Sequence, residues 1–340
     1  MDKNIKYNDM SLTIIIIGKN TSKTLSNCIK SINTAVVNSK YINSYEVIYI
    51  DSMSYDDSVD IAKSFNNVET IKIIDGYTSA SFGRYLGKMY SKYKNLLFMD
   101  SDMYMDKDWF NASIEYYNQY GAIIGERYEK LYKNDAVVKE IPRFYNIKDV
   151  EIASNIGGFL MIKKEIIGNI NYTPIIKNEE EKDVYAKFYD KNKIYKVPVL
   201  AYVHNNYNLS GSRIREYFMP YAKNGYILSF ISSIKNNYFK NYISLQKKYI
   251  ISIIVSILFY VLILNANILG LFSFLLLMLN GYKQIKGSIM TTIFFPYKLI
   301  MSLVVVTSVF EATYIYKNNE YKMDIKIWLK YWLSQIPHGA

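Results

Sequence analysis

Between residues 12 and 99 the chain alternates short β-branched runs with stretches of helical period, and this alternation limits its fold more than any other feature. Residues 12–17, Leu-Thr-Ile-Ile-Ile-Ile, stop at Gly18 and predict a strand buried on both faces. Leu25, Ile29, Ile32 and Val36 then recur at helical spacing over 22–37. Strands are expected at 46–50, 70–74 and 96–99, with helices at 57–66 and 80–93 between them. Such a rhythm gives an α/β domain with a mostly parallel, Rossmann-like sheet flanked by helices. Ligands in these sheets lie beyond the carboxyl ends of the strands. Asp51 and Asp100 each follow a strand directly, so both belong at that rim.

After residue 110 the pattern loosens. Residues 156–163 read as a strand entered through a Gly pair, 179–191 as a helix, and 194–203 as a strand ending at His204. The charge also divides. Residues 1–204 hold 27 basic and 26 acidic side chains, whereas 205–340 hold 14 and 4. The near-neutral first part excludes a nucleic-acid binder. A basic, apolar tail fits a membrane. Residues 250–264 carry no charge; Asn265 and Asn267 interrupt, and 268–279 resume. A second apolar region, 288–316, is divided by Pro296 and Lys298. A span needs about 20 apolar residues, so two or three crossings are expected within 249–316. Lys247 and Lys248 precede them, and Lys317, Lys322, Lys326 and Lys330 follow, which favours cytosolic flanks and an even number of crossings. The first eleven residues lack the apolar core of a signal peptide, so the N-terminal region is expected in the cytosol. The expected division is a catalytic body over 1–210, an amphipathic connector over 211–248, spans over 249–316 and a basic cytosolic or interfacial tail over 317–340. One cysteine, Cys28, and two histidines exclude a disulfide framework and a His-rich or Cys-rich metal cluster.

Asp100-Ser101-Asp102 sets two carboxylates just past a strand, where both can approach one divalent cation. Oxygen ligands suit Mg²⁺ or Mn²⁺, which bridge to phosphates; a plain turn is the other reading. Asp106 and Asp108 read as helix caps or solvent-facing groups, and so does one of Asp56 and Asp57. Asp51 is placed to accept hydrogen bonds from a nucleobase or ribose. Arg84 either meets a base or diphosphate or is simply solvated. Glu179-Glu180-Glu181-Lys182-Asp183 heads a helix, as a solvated N-terminus or as the source of a general base. His204 is either structural or a third ligand beside Asp100 and Asp102. Arg213 and Arg215 suit a diphosphate or a membrane surface.

Taken in order, these pieces resemble the family 2 glycosyltransferases, whose nucleotide-sugar fold is called GT-A. The opening strand leads to Gly18-Lys19-Asn20-Thr21, and 46–58 follows the family's Glu-Val-Ile-x-Val-Asp-x-x-Ser-x-Asp block. Gly83-Arg84-Tyr85-Leu86-Gly87, Asp100-Ser101-Asp102, Gly157-Gly158-Phe159, Glu180-Glu181 and His204 follow in the family's order, over roughly 11–205. Thr21 stands where an acid is usual, Tyr85 where Asn is usual and Glu181 where Asp is usual. A Gln-x-x-Arg-Trp motif is missing, which argues against processive synthases, and no Gln-Asp-x-Pro follows Asp102.

The resemblance implies an inverting, metal-dependent hexosyl or related transferase of cell-envelope polysaccharide synthesis. Donor contacts would come from Ile17, Lys19, Asp51, Ser54, Arg84, Asp100 and Arg213, metal ligands from Asp100, Asp102 and His204, and the base from Glu180, Glu181 or Asp183. The donor would be a nucleotide-diphosphate sugar and the acceptor a lipid-linked saccharide or polyprenyl carrier. The protein would be multi-pass in the cell membrane, with its catalytic domain in the cytosol. A polyprenyl-phosphate sugar synthase, a sugar-nucleotide nucleotidyltransferase and a non-catalytic scaffold are the alternatives.

Overall fold

The computed structural model describes residues 10–74, 78–153, 156–168, 172, 180–188, 193–207, 233–234 and 239–244. Two compact units divide the chain, Met1–Gly225 with Tyr321–Ala340 and Tyr226–Glu320. In the second, residues 233–234 and 239–244 are helical. All elements named below belong to the first. The expected connector lies mostly outside the described residues, as do the apolar spans, the basic tail, Arg213 and Arg215. Among the described residues no helix is long and apolar enough to cross a membrane.

The chain opens β1 (Met10–Gly18), α1 (Ser22–Asn38), β2 (Ile42–Asp51), α2 (Ser58–Lys63), β3 (Val68–Lys72), α3 (Ala80–Tyr90) and β4 (Asn95–Asp100). These are the seven elements read from the alternation. β1 is buried from Leu12 to Ile17 because helices cover both sides of the sheet. α1 buries Leu25, Cys28, Ile29, Ile32, Ala35 and Val36, the apolar stripe of its sequence. Ser79 caps α3, its hydroxyl accepting from the Phe82 amide. The two glycines of that helix, one turn apart, let it lie directly on β1. A methyl group on Gly87 would come within 2.2 Å of Ile15 Cγ2, and one on Gly83 within 3.0 Å of Ile17 Cγ2.

Next come β5 (Met103–Met105), α4 (Trp109–Tyr120), β6 (Ala122–Lys133), β7 (Ala136–Ile141), β8 (Glu151–Ile152), β9 (Leu160–Lys163), α5 (Lys164–Ile167), α6 (Glu180–Phe188) and β10 (Tyr195–Asn206). The sheet runs β3-β2-β1-β4-β9-β6-β10-β5, with β7 paired to β6 and β8 to β10. Instead of the mostly parallel sheet expected, it is mixed. β1 to β4 are parallel, while β9 runs antiparallel to both β4 and β6, and β5 and β8 antiparallel to β10. One further antiparallel pair is a hairpin. β6 and β7 join through Asn134 and Asp135, whose φ values of 50° and 60° form a tight hairpin turn. β6 and β10 are parallel again.

Candidate active site

The carboxyl ends of β1, β2 and β4 finish level. Gly18 is the ladder partner of Asp51, and Ile17 that of Asp100. The loops after β1 and β2 are clasped together by main-chain donors. The Asn20 amide donates to Ser54 Oγ, the Thr21 amide to Ser58 Oγ and the Ser22 amide to an Asp56 oxygen, at 2.8–3.0 Å. Tyr55 returns the contact by donating its amide to Asn20 Oδ1. Asp51 is fully buried and shapes this turn, since its oxygens accept from the Tyr49 hydroxyl at 3.3 Å and the Ser54 amide at 3.0 Å. Ile17 is buried and Lys19 exposed. The expected capping groups stand at helix starts. Asp56 accepts from the Ser58 amide, and Asp57 and Asp108 occupy N-cap positions without side-chain cap bonds.

Arg84 was expected either to face a base or diphosphate or to be solvated. It is instead 2% exposed and turned inward. Its Nη2 donates to Asp100 Oδ1 at 2.7 Å and its Nη1 to Glu180 Oε1 at 2.8 Å, so one planar guanidinium braces the end of β4 to the start of α6. The Tyr172 ring lies 5.8 Å from its Cζ. Burial would lower the Arg84 pKa, but Asp100 and Glu180 raise it. Burial pushes Asp100 up to about 6, helped by Asp102 and Glu180 and opposed by Arg84 and His204. The glycine pair is the other wall of the site. Gly157 has φ 65°, and a methyl group on Gly158 would sit 2.0 Å from Asp100 Oδ2. Of the three acids proposed as base, Glu180 joins this cluster, Glu181 is half-buried, and Asp183 is fully buried with Lys187 Nζ at 2.8 Å. Cys28 lies beneath, its thiol 4.0 Å from the Asp100 carbonyl and its pKa raised by burial.

Asp102 and His204 meet across the mouth, with His204 Nε2 at 3.3 Å from Asp102 Oδ2. The Asn205 amide donates to the Asp102 carbonyl, locking β10 to the turn after β4. On the far side of the imidazole, Nδ1 donates to Glu129 Oε2 at 2.9 Å. Burial lowers the His204 pKa, but the two flanking carboxylates overcome this and push it up to about 9. Among the described residues no three His, Cys, Asp or Glu side chains converge closely enough to hold a metal. A donor pair is nonetheless present, because Asp102 Oδ1 is buried without a hydrogen-bond partner beside an imidazole nitrogen. A Mg²⁺-type cation takes one or two protein carboxylates and completes its shell with phosphate oxygens and water, so this donor pair fits one.

The sequence reading missed Glu129 and Arg127 on β6, Tyr172, and the contact of Gly158 with Asp100. Arg127-Tyr128-Glu129 did carry a cue, because period-two spacing puts its opposite charges on one face of a strand.

Residues 13–170 match the profile of the family described as Glycosyl transferase family 2. They form a glycosyl transferase family 2 domain. The domain includes Asp51, Arg84, Asp100, Asp102 and Glu129, while Glu180 and His204 lie past its matched end. Solved structures of S. aureus TarS have the same GT-A-like fold. TarS 1–349 in complex with UDP-GlcNAc aligns with a TM-score of 0.53 at 13% identity, over 71% of this chain and 73% of that one. TarS 1–349 alone gives 0.50 at 13% identity, over 71% and 72%. A further TarS structure gives 0.50 at 14% identity, over 70% and 43%. Identity this low makes the likeness one of fold. No curated protein matches the chain.

Proposed function

We propose that this chain is an inverting, metal-dependent glycosyltransferase that moves a sugar from a nucleotide-diphosphate donor to a hydroxyl of a lipid-linked or cell-surface glycan. One observation carries the reading. Asp102, with a buried oxygen lacking a partner, stands beside His204 next to Asp100 and Glu180, which Arg84 braces, beyond the ends of β1 and β4. The family 2 domain and the GT-A-like fold support a nucleotide-sugar transferase. That S. aureus TarS was solved with UDP-GlcNAc supports a nucleotide-diphosphate sugar as the donor class.

In this reading the clasped loops at Asn20 and Ser54 hold the nucleoside side of the donor, and Asp100 orients the ribose or sugar. Asp102 and His204 hold the divalent cation, Mg²⁺ or Mn²⁺, which supplies Lewis-acid neutralisation of the departing diphosphate. Glu180 is the base. Arg84 grips its Oε1, so Oε2 is the oxygen that takes the proton from the acceptor hydroxyl. The hydroxyl attacks the anomeric carbon opposite the leaving group, and the configuration inverts. The apolar segments and basic flanks between 247 and 330 support attachment to the cytosolic face of the cell membrane. The proposed body, connector, spans and tail keep the boundaries given above.

The test is nucleotide release and sugar transfer from a panel of UDP-, GDP- and dTDP-sugars, with Mg²⁺, with Mn²⁺ and with chelator. Cation-dependent turnover of at least one donor is expected. Inertness throughout, with no nucleotide binding by calorimetry, would replace the enzyme by a scaffold.

A further inference from the structure

The proposed mechanism leaves the buried acid beside His204 without a task. Glu129 is 2% exposed on β6, a strand beside β10 in the sheet. The parallel register of these strands makes Glu129 the direct ladder partner of His204, so their side chains leave the same face side by side. The backbone register sets the two residues side by side, within reach of the 2.9 Å contact between their side chains. Every polar neighbour of Glu129 in this cluster donates to it. His204 Nδ1 and Arg127 Nε reach Oε2, and Asn206 Nδ2 reaches Oε1 at 3.3 Å. Arg127 is itself steadied by the Phe144 ring, 4.1 Å from its Cζ. A carboxylate held by an arginine only accepts, so the ring nitrogen facing it must carry a proton. The opposite nitrogen, Nε2, is then directed at Asp102 and the mouth of the site.

We propose that Glu129 is a positioning residue that fixes His204 with its proton on Nδ1 and presents Nε2 as a ligand to the divalent cation. The inference rests on the cation reading given above. An outer carboxylate of this kind orients a ligating imidazole and typically changes metal affinity by about 10–100-fold when removed. Through the ladder, β6 thus becomes part of the site although Glu129 itself touches neither cation nor donor.

The experiment measures Mn²⁺ binding to the full chain by electron paramagnetic resonance, with UDP present. Glu129→Ala is expected to weaken Mn²⁺ binding about 10–100-fold. Glu129→Gln keeps an acceptor for Nδ1 and is expected to restore most of it. A role confined to the ion pair with Arg127 predicts wild-type Mn²⁺ affinity in a folded Glu129→Ala protein, and that result overturns the proposal. Should both variants unfold, the wild type decides. The chain has two histidines, His204 and His338, so solid-state spectra of ¹⁵N-histidine protein with Mg²⁺ and UDP resolve the tautomer. A protonated Nδ1 and bare Nε2 on His204 support the assignment, and the reverse tautomer refutes it. Wild-type protein that binds no Mn²⁺ brings down the cation reading and this inference together. Unchanged binding in Glu129→Ala removes this inference alone.

Discussion

From β3 to β4 the strands run one way, and β1 is buried over six consecutive positions, five of them aliphatic. From β9 to β5 parallel and antiparallel neighbours are mixed, and the interior holds Glu126, Glu129, Lys196 and Asn205. The first side gains its stability from apolar burial, worth about 0.8 kcal/mol per methylene and indifferent to partner. The second is held by pairs. Glu126, for example, accepts the amides of Arg127, Tyr145 and Ile147 and so pins the loop after β7 against the sheet. Buried ion pairs add little net stability, yet losing one partner costs about 3–5 kcal/mol. Burial therefore decides where the strand ends lie, and paired charges decide which side chains meet there.

The largest expected effect breaks the mouth and spares the body. Asp102→Ala should lower transfer by about 10³-fold or more, a loss of several kcal/mol in transition-state stabilisation, while thermal unfolding stays near wild type. Its side chain is 38% exposed and contributes no core. Wild-type turnover in that variant would remove Asp102 from the site. Glu180→Gln retains an oxygen for Arg84 and should reduce kcat by about 10²–10⁴-fold; full activity would move the base to Glu181.

A pair of variants then weighs paired charge against apolar burial directly. Arg84→Met leaves the buried carboxyl of Glu180 and the partly exposed one of Asp100 unmatched, and should cost about 3–5 kcal/mol in denaturant unfolding together with most activity. Ile32→Ala, in α1, should cost about 2–5 kcal/mol and leave the turnover of the folded fraction unchanged. Equal loss of specific activity in both would erase the distinction between paired charge and apolar burial.

The smallest effect concerns pH. Lys88 is buried, with Nζ donating to the Gly168 carbonyl, and burial followed by Lys164 and Lys187 lowers its pKa to about 8. The unfolded value is about 10.4. Between these values the unfolded chain binds more protons, so this group's contribution to stability rises with pH. Wild type should therefore gain on Lys88→Met between pH 8 and pH 10 in paired denaturation curves. A constant difference would show that Lys88 keeps its ordinary pKa.

The same division explains what could be read in advance. The seven elements from β1 to β4 follow from period and β-branching, and Asp51 and Asp100 follow from where strands end. α4 was legible only as the helix that Asp106 or Asp108 could cap, because its buried stripe of Trp109, Phe110, Ile114 and Tyr117 is largely aromatic and is broken by Ser113. The β6–β7 hairpin hid behind Asn134-Asp135, a turn without glycine. Arg84 was legible as a candidate, but its partner Glu180 lies 96 positions away, and local sequence cannot tell a braced guanidinium from one meeting a ligand. For Glu129 the period-two spacing with Arg127 was legible but its burial was not, since burial of a charged strand residue depends on which strand lies alongside.

The position of the chain's one thiol also has a practical consequence. Cys28 is enclosed directly below the Asp100 backbone. Maleimides and other sulfhydryl reagents will reach it only when the packing of α1 against β4 loosens. The kinetics of labelling by a mass-shifting reagent would therefore clock breathing of the floor of the site in untouched protein, and would do so without an engineered probe.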